Sequence, residues 1–231
     1  MYAKFFKRVT DFILALVATI VLSPVLLVIA IVGAIALKGN PFFVQPRPGK
    51  KGVDGRERIF NLIKFRTMSN DCDEEGEFLP DKERLGSYGK FLRSTSLDEL
   101  PELINILKGE MSIIGPRPQL VRDMVFMTEQ QRRRHDVRPG LTGLAQVNGR
   151  NCITWEHKFQ YDLKYIDDGI TLWGDLKILI KTVLVVLKRS DTVREGTVSD
   201  LDFGDWMLHE GKVDQTTYNE KQEQAKELLG V

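Results

Sequence analysis

Two adjacent carboxylates, Asp98 and Glu99, stand in the stretch Arg93-Ser94-Thr95-Ser96-Leu97-Asp98-Glu99-Leu100-Pro101. Ionised carboxylates attack electrophilic centres, hold hard cations and move protons, so this pair is the first candidate for chemistry. The bland alternative is local: Ser96-x-x-Glu99 fits a capping box, and acids in a first helical turn complement the helix dipole. Pro101 disturbs that alternative. With Ser96 as the cap, Pro101 falls in the second turn, where it removes a hydrogen bond and disfavours a helical Leu100. A helix that starts near Pro101 instead leaves both acids at its mouth. Successive helical residues diverge by about 100°, so Asp98 and Glu99 do separate jobs rather than share one proton.

The bases around the pair point to the partner it would act on. Arg93 lies just upstream, Arg117 sits between Pro116 and Pro118, and Arg138 precedes Pro139-Gly140. Arg150 ends Asn148-Gly149-Arg150, and Lys64 interrupts an otherwise apolar stretch. Arginines on rigid turns suit bidentate contact with phosphate. Other chemistries are excluded by spacing. His135, His157 and His209 are far apart and form no HExxH pattern, and GxSxG, GxGxxG and GxxxxGK[ST] do not occur. Asp71-x-Asp73-x-Glu75-Gly76 opens like a calcium loop, but Lys82 stands where the bidentate Glu is needed, so residues 70–84 read as a solvated acidic loop. Arg132-Arg133-Arg134 has no interleaved aromatics, which speaks against nucleic acid and for a solvated or lipid-facing helix surface.

The elements that must position these residues begin with a membrane segment. Phe12 to Leu37 contains no charged residue, enough apolar chain to enter a bilayer, and it is the one such segment in the 231 residues. Ser23-Pro24 sits near its middle: Pro24 cannot serve the carbonyl of Ile20, and the Ser23 hydroxyl is placed to do so. Lys4, Lys7 and Arg8 precede the segment, and Lys38, Arg47, Lys50 and Lys51 follow it. Positive charge at both ends is frustrated in a span and satisfied if the chain enters and leaves on one face. The spacing therefore favours a re-entrant helix-break-helix over a kinked span.

After the segment, 42–45 and 58–65 read as two short strands around a Gly- and Lys-rich turn. Helical spacing marks 97–108, 119–136, 154–167 and 171–189, while 111–114 reads as extended. Residues 191–231 hold ten acids and four bases and one weak helical pattern near 217–229. The remainder is basic, which next to a membrane segment favours anionic headgroups or a phosphorylated substrate. Cys72 and Cys152 lack CxxC spacing and read as free thiols in a reducing compartment. The expected fold is α+β and mainly helical. It has a membrane-anchoring re-entrant helix over 1–40 and a small catalytic domain over 41–190 with a short β-hairpin and interfacial amphipathic helices. An acidic C-terminal tail follows over 191–231. A carboxylate, several arginines and a membrane segment together favour phosphoryl transfer to or from a lipid.

The ordered motifs resemble those of the bacterial sugar transferase family, the monotopic phosphoglycosyl transferases. They are Lys7-Arg8 with Asp11, Ser23-Pro24, Gln45-x-Arg47-x-Gly49, Lys64-Phe65-Arg66-Thr67-Met68 and Ser96-Leu97-Asp98-Glu99-Leu100-Pro101. Gly115-Pro116-Arg117-Pro118, Arg138-Pro139-Gly140-x-Thr142-Gly143 and Gln146-Val147-Asn148-Gly149-Arg150 complete them. The resemblance implies an enzyme at the cytoplasmic face of a bacterial inner membrane that moves a sugar-1-phosphate from a UDP-sugar to undecaprenyl phosphate and releases UMP. It implies Mg2+ as cofactor, Asp98 as nucleophile and metal contact, and Glu99 as its assistant. Lys64, Arg93, Arg117, Arg150 and Asp162 then fall around the phosphates and metal, with Asp162 as a second metal ligand, and Arg138 stays a phosphate-binding candidate on its own turn. Inner-membrane lipids are implied as partners and nucleic acid is not. A second copy of the chain is kept as a candidate partner. Leu144 stands where many members carry Trp, and Asp167-Asp168-Gly169 replaces a commoner polar-aromatic stretch. A membrane-anchored magnesium phosphatase or pyrophosphatase, and a non-catalytic basic scaffold, are the competing readings.

Overall fold

The computed structural model describes residues 2–149, 153–188 and 201–230. A short π-helical turn, Tyr2–Phe6, leads into helix α1, Lys7–Ala36. Helical structure runs through Pro24, and the Ile20 carbonyl accepts from the Ser23 hydroxyl at 2.8 Å. The freed carbonyl is thus satisfied locally, so the pair leaves the helix continuous where the sequence led us to expect a break.

One stripe of α1 is buried, at Lys7, Asp11, Ala15, Ile29 and Gly33. Ala15, Ala18 and Leu22 pack against Phe60, Leu62, Leu103 and Ile106. Further along, Leu26, Ile29 and Ala30 pack against Phe65, Leu92 and Tyr88. The Tyr88 hydroxyl donates to the Ile29 carbonyl at 3.1 Å, and a Cβ on Gly33 would come within 2.4 Å of that oxygen. The other faces of α1 are apolar and exposed, including Phe12, Ile20, Val21, Leu27 and Ile35. A helix so long, apolar and uncovered needs a non-aqueous neighbour.

The base of α1 is clamped by polar contacts. Lys7 Nζ lies 2.7 Å from Asp175 Oδ2, and Tyr2 and Tyr165 donate to Asp175 at 2.9 and 2.7 Å. Asp11 accepts from Ser112 Oγ at 2.5 Å and from the Ile113 amide at 3.3 Å. Arg8 donates to the carbonyls of Ile106 and Leu107 at 2.6 and 2.9 Å. Lys7 and Arg8 are therefore structural ties rather than free flanking charges, while Lys4 is exposed.

Strands β1, Phe42–Lys51, and β2, Glu57–Phe65, form an antiparallel hairpin with Phe42 opposite Phe65 and Pro48 opposite Ile59. The first strand outruns the apolar stretch read from sequence. Pro46 and Pro48 fit because each strand of a two-stranded ribbon keeps one unpaired edge. Short helices α2, Asp81–Arg84, and α3, Ser87–Thr95, come next, then a 3₁₀ turn, Leu97–Glu99, and α4, Glu102–Lys108. Strand β3, Ser112–Ile114, pairs in parallel with β4, Gly140–Thr142. Glycine is required here, since a Cβ on Gly140 would lie 2.1 Å from the Gly115 nitrogen.

Between β3 and β4 lie α5, Val121–Met124, α6, Glu129–Arg132, and a 3₁₀ turn, Arg133–Asp136. The single charged helix expected over 119–136 is corrected to these pieces. Thr128 and Gln131 form a reciprocal capping box that starts a new helix. The triple arginine is not one solvated or lipid-facing surface: Arg132 pairs with Glu57 and Arg133 with Asp167 at the solvent-accessible rim, while Arg134 is buried against Asp162.

Helices α7, Trp155–Asp167, and α8, Leu172–Lys188, follow as expected. Leu172, Trp173, Leu176, Ile180, Val183, Leu184 and Leu187 of α8 are exposed, an uncovered apolar face like that of α1. Beyond the undescribed residues 189–200 come α9, Phe203–His209, and α10, Gln215–Leu229. These helices do not trail away as an acidic tail. Phe203 and Ala225 are buried with Val121, Met124, Phe126, Trp155 and Phe159.

Candidate active site

Helix α3 ends at Ser96, which takes the left-handed conformation at φ 57°. Such a backbone turn is uncommon for a residue with a Cβ. It reverses the chain so that Leu97–Glu99 forms a separate turn and Pro101 caps α4. Ser96 makes no side-chain cap bond, and Glu99 points elsewhere, so the capping box does not form. Asp98 and Glu99 stand outside the mouth of α4, as Pro101 led us to expect.

Glu99 Oε1 lies 2.9 Å from Lys64 Nζ and 2.5 Å from Arg117 Nη2. Lys64 also reaches Glu102 Oε1 at 3.2 Å. Strand β2 thus delivers Lys64, the turn before α4 delivers Glu99, and the Pro-Arg-Pro turn after β3 delivers Arg117. Glu102 is a site residue that sequence reading missed. Its spacing from Asp98 and Glu99, four and three residues on, is the signal for a shared helical side.

These contacts split the carboxylates electrically. Burial alone would raise Glu99, but Arg117 and Lys64 outweigh it and hold its carboxyl well below the usual range. Asp98 is pushed up to about 6, first by burial and then by the Glu99 charge, against the pull of Lys64, Arg117 and Arg93. Burial also lifts Glu102 to about 7, against the attraction of Lys64. The Glu99 carboxylate, in turn, raises Arg117 above its ordinary value despite burial. Among the described residues, no hydrogen bond or ion pair holds the Asp98 carboxyl. It is an unengaged carboxylate next to three cations, with a proton affinity near neutrality.

The other expected residues divide. Arg93 donates Nε to Thr67 Oγ1 at 3.1 Å, and Asp98 is its leading charge neighbour, so it belongs to the site. Arg138 does not join the carboxylates; its Nε donates to the Gly109 carbonyl at 2.7 Å, and Arg8 is its charge neighbour. Asp162 pairs with Arg134 at 2.7 Å, both deeply buried. Arg150 lies outside the described residues. Ser23 and Pro24 lie midway along α1.

A hard cation fits Asp98 in part. Mg2+ typically takes one or two carboxylates and completes its shell with water and phosphate oxygens, and Asp98 is an unengaged oxygen donor. Asp162 does not join it: its Oδ2 pairs with Arg134, its Oδ1 is buried without a hydrogen-bond partner among the described residues, and its charge neighbours are Arg134 and Lys158 rather than Asp98. Among the described residues, no three His, Cys, Asp or Glu side chains are grouped to hold a metal.

An unengaged carboxylate beside three cations, on a small domain docked along a long apolar helix, is an arrangement able to hold a phosphate. The bacterial sugar transferase family model matches residues 2–189, and the chain belongs to that family. The "Uncharacterized sugar transferase EpsL" of Bacillus subtilis is 44% identical over 181 residues, 78% of this chain and 87% of that protein. The "UDP-glucose:undecaprenyl-phosphate glucose-1-phosphate transferase" of Klebsiella pneumoniae is 41% identical over 77% of this chain and 39% of its own length. The "Undecaprenyl-phosphate galactose phosphotransferase" of Salmonella typhimurium is 36% identical over 81% of this chain and 41% of its own length. The chain thus spans about two fifths of the last two proteins.

Proposed function

We propose that this chain is a phosphoglycosyl transferase that moves a sugar-1-phosphate from a UDP-sugar to undecaprenyl phosphate and releases UMP, at the first membrane step of glycoconjugate assembly. The observation that carries the reading is the unengaged Asp98 carboxylate beside the Lys64–Glu99–Arg117 cluster. An Asp98 oxygen attacks the phosphorus that bears the sugar. The bond between the two phosphates breaks, and UMP leaves with the electron pair. The lipid phosphate then attacks the aspartyl phosphosugar at the same phosphorus and regenerates the carboxylate. Two mutually repelling anions need never share the site. Lys64, Arg93 and Arg117 offset the phosphate charge, and Glu99 orients two of those cations. Mg2+, which Asp98 would hold, would supply further charge neutralisation.

The names of the relatives favour this reading over a phosphatase or a scaffold. The test is UMP release across a panel of UDP-sugars. Release of at most one UMP per enzyme without lipid, and turnover once undecaprenyl phosphate is added, is the expected result. Free sugar phosphate with water as acceptor would select the phosphatase, and no UMP from any donor would favour the scaffold.

The anchor reading follows from α1. We infer that α1 enters the membrane without crossing it, bending at Pro24 within its continuous helical run, with both ends on the cytoplasmic face of the inner membrane. Its thirty residues would reach about 45 Å, ample for about 30 Å of hydrocarbon. Yet Lys7 and Arg8 at one end, and Ile29 and Gly33 near the other, touch the same polar body. A straight span with that body on one side would strip one end of its contacts. The exposed faces of α1 and α8 would meet lipid together. A single cysteine, Ala3→Cys in a Cys72→Ser, Cys152→Ser background, should resist an impermeant maleimide in intact spheroplasts and react after lysis. Labelling before lysis would establish a span.

A further inference from the structure

Prolines on both sides of Arg117 remove two of the three backbone donors of its turn, which leaves the carbonyls as the main handles on it. All three carbonyls are held. The Gly140 amide donates to the Pro116 carbonyl at 2.9 Å. Arg134 Nη2 donates to the Arg117 carbonyl at 2.6 Å. Arg47 Nη1 donates to the Pro118 carbonyl at 3.2 Å. Two of the three donors are guanidiniums from distant parts of the chain.

Arg134 is 2% exposed, and its counter-ion Asp162 is 3% exposed. The same Nη2 atom serves Asp162 Oδ2 at 2.7 Å and the Arg117 carbonyl. The guanidinium carbon also stands 5.6 Å from the centre of the Phe159 ring, which covers it. Arg47 is in turn fixed by Gln45 Oε1 at 2.6 Å. A buried ion pair is seldom better for stability than well-packed apolar side chains of the same volume. This one ends on the backbone of the residue whose side chain holds Glu99.

We propose that Arg134, held by Asp162, and Arg47, held by Gln45, are positioning residues that fix the Pro116-Arg117-Pro118 backbone and so aim the Arg117 guanidinium at Glu99 and the donor phosphate. The proposal rests on the transfer reaction proposed above. It gives Asp162 the job of counter-ion rather than metal ligand. It also gives Gln45-x-Arg47 a job: the motif is a brace placed by the hairpin.

The variant Arg134→Met with Asp162→Asn removes both charges and leaves no lone buried ion. Its kcat/KM for the UDP-sugar should fall about ten- to a hundredfold, the scale of a misplaced catalytic group. In an Arg117→Lys background the same change should cost nothing more, because the group it positions is already lost. The Mg2+ concentration for half-maximal rate should be the same in Asp162→Asn as in the unchanged protein. A full additional loss in the Arg117→Lys background, or a tenfold rise in the Mg2+ requirement, overturns the proposal. A second measurement does not depend on turnover. In protein labelled with 15N-arginine, the Arg117 Nε–H signal, identified by its loss in Arg117→Lys, should move to the position of a solvated arginine in Arg134→Met/Asp162→Asn. It should move part of the way in Arg47→Gln. An unmoved signal overturns the positioning role even if UMP release is normal. If the unchanged protein releases no UMP, the transfer reading falls, and the 15N signal still decides the brace.

Discussion

The clamp at the base of α1 and the cluster at the mouth of α4 are both small networks of mixed charge, and they differ in how completely they are satisfied. In the clamp, Asp175 receives Lys7 and two tyrosine hydroxyls, and Asp11 receives a serine hydroxyl and a backbone amide. Both oxygens of each carboxylate are used. In the site, one oxygen of Glu99 takes Lys64 and Arg117 together, while Asp98 stands unengaged among the described residues. A saturated network stores stability and has nothing left to offer a ligand. An unsaturated one holds an anion at a cost, next to cations that a phosphate could share. The two regions use the same residue types, and only the completeness of pairing separates a fastener from a reaction centre.

The largest effect that would break this comparison is at Asp98. Asp98→Asn keeps the shape and removes the nucleophile, so UMP release should fall about ten-thousandfold or more with the fold intact. Near-normal turnover would remove Asp98 from the mechanism. The mirror experiment is Asp175→Asn, which leaves Lys7 buried with one partner fewer. It should destabilise the protein by about 3–5 kcal/mol in urea unfolding in detergent micelles, with kcat per folded molecule unchanged. A clamp variant that lost kcat and kept its stability would erase the distinction between the two regions. A smaller effect is expected from Arg117→Lys, about 1–3 kcal/mol in transition-state stabilisation from kcat/KM, because lysine keeps the charge and loses the fork. Unchanged kinetics would make Arg117 a bulk charge.

The smallest effect sharpens the comparison through pH. Asp98 titrates at about 6 against an ordinary 3.8, so the UMP burst should decline as pH falls through about 6, where the nucleophile gains its proton. A limb near 4 would mean that neither burial nor Glu99 is felt there. Stability carries the same sign. A carboxyl with a raised folded-state pKa binds its proton more tightly folded than unfolded, so its contribution is present below about 4 and is lost as pH rises through about 6. Asp98→Asn should therefore be slightly more stable than the unchanged protein at pH 8 and equal to it at pH 3. Asp175→Asn is less stable at pH 8. Opposite signs from two Asp→Asn changes would be direct evidence that one network strains and the other fastens.

Local interactions made part of this legible from the sequence alone. A long uncharged run demands an apolar neighbour, so α1 was readable. Pro101 is disfavoured in a second turn, so the start of α4 and the place of Asp98 and Glu99 just outside it were readable too. Ser23 facing the Ile20 carbonyl follows from spacing of three residues, and the helical periods of α7 and α8 were read nearly to the residue. What the sequence could not disclose depends on residues far apart in the chain. The pairing of β3 with β4 is set by backbone approach at Gly115 and Gly140. The docking of α9 and α10 is set by aromatic packing against α5 and α7, which a count of acidic residues conceals. Arg138 and Asp162 look like phosphate or metal residues by type, yet one binds a carbonyl near the α1 clamp and the other a buried arginine. Sequence determines which charges a chain carries and where its helices must stop. Only the tertiary structure decides which charge meets which, because electrostatic energy depends on separation and burial, and neither is written in the order of residues.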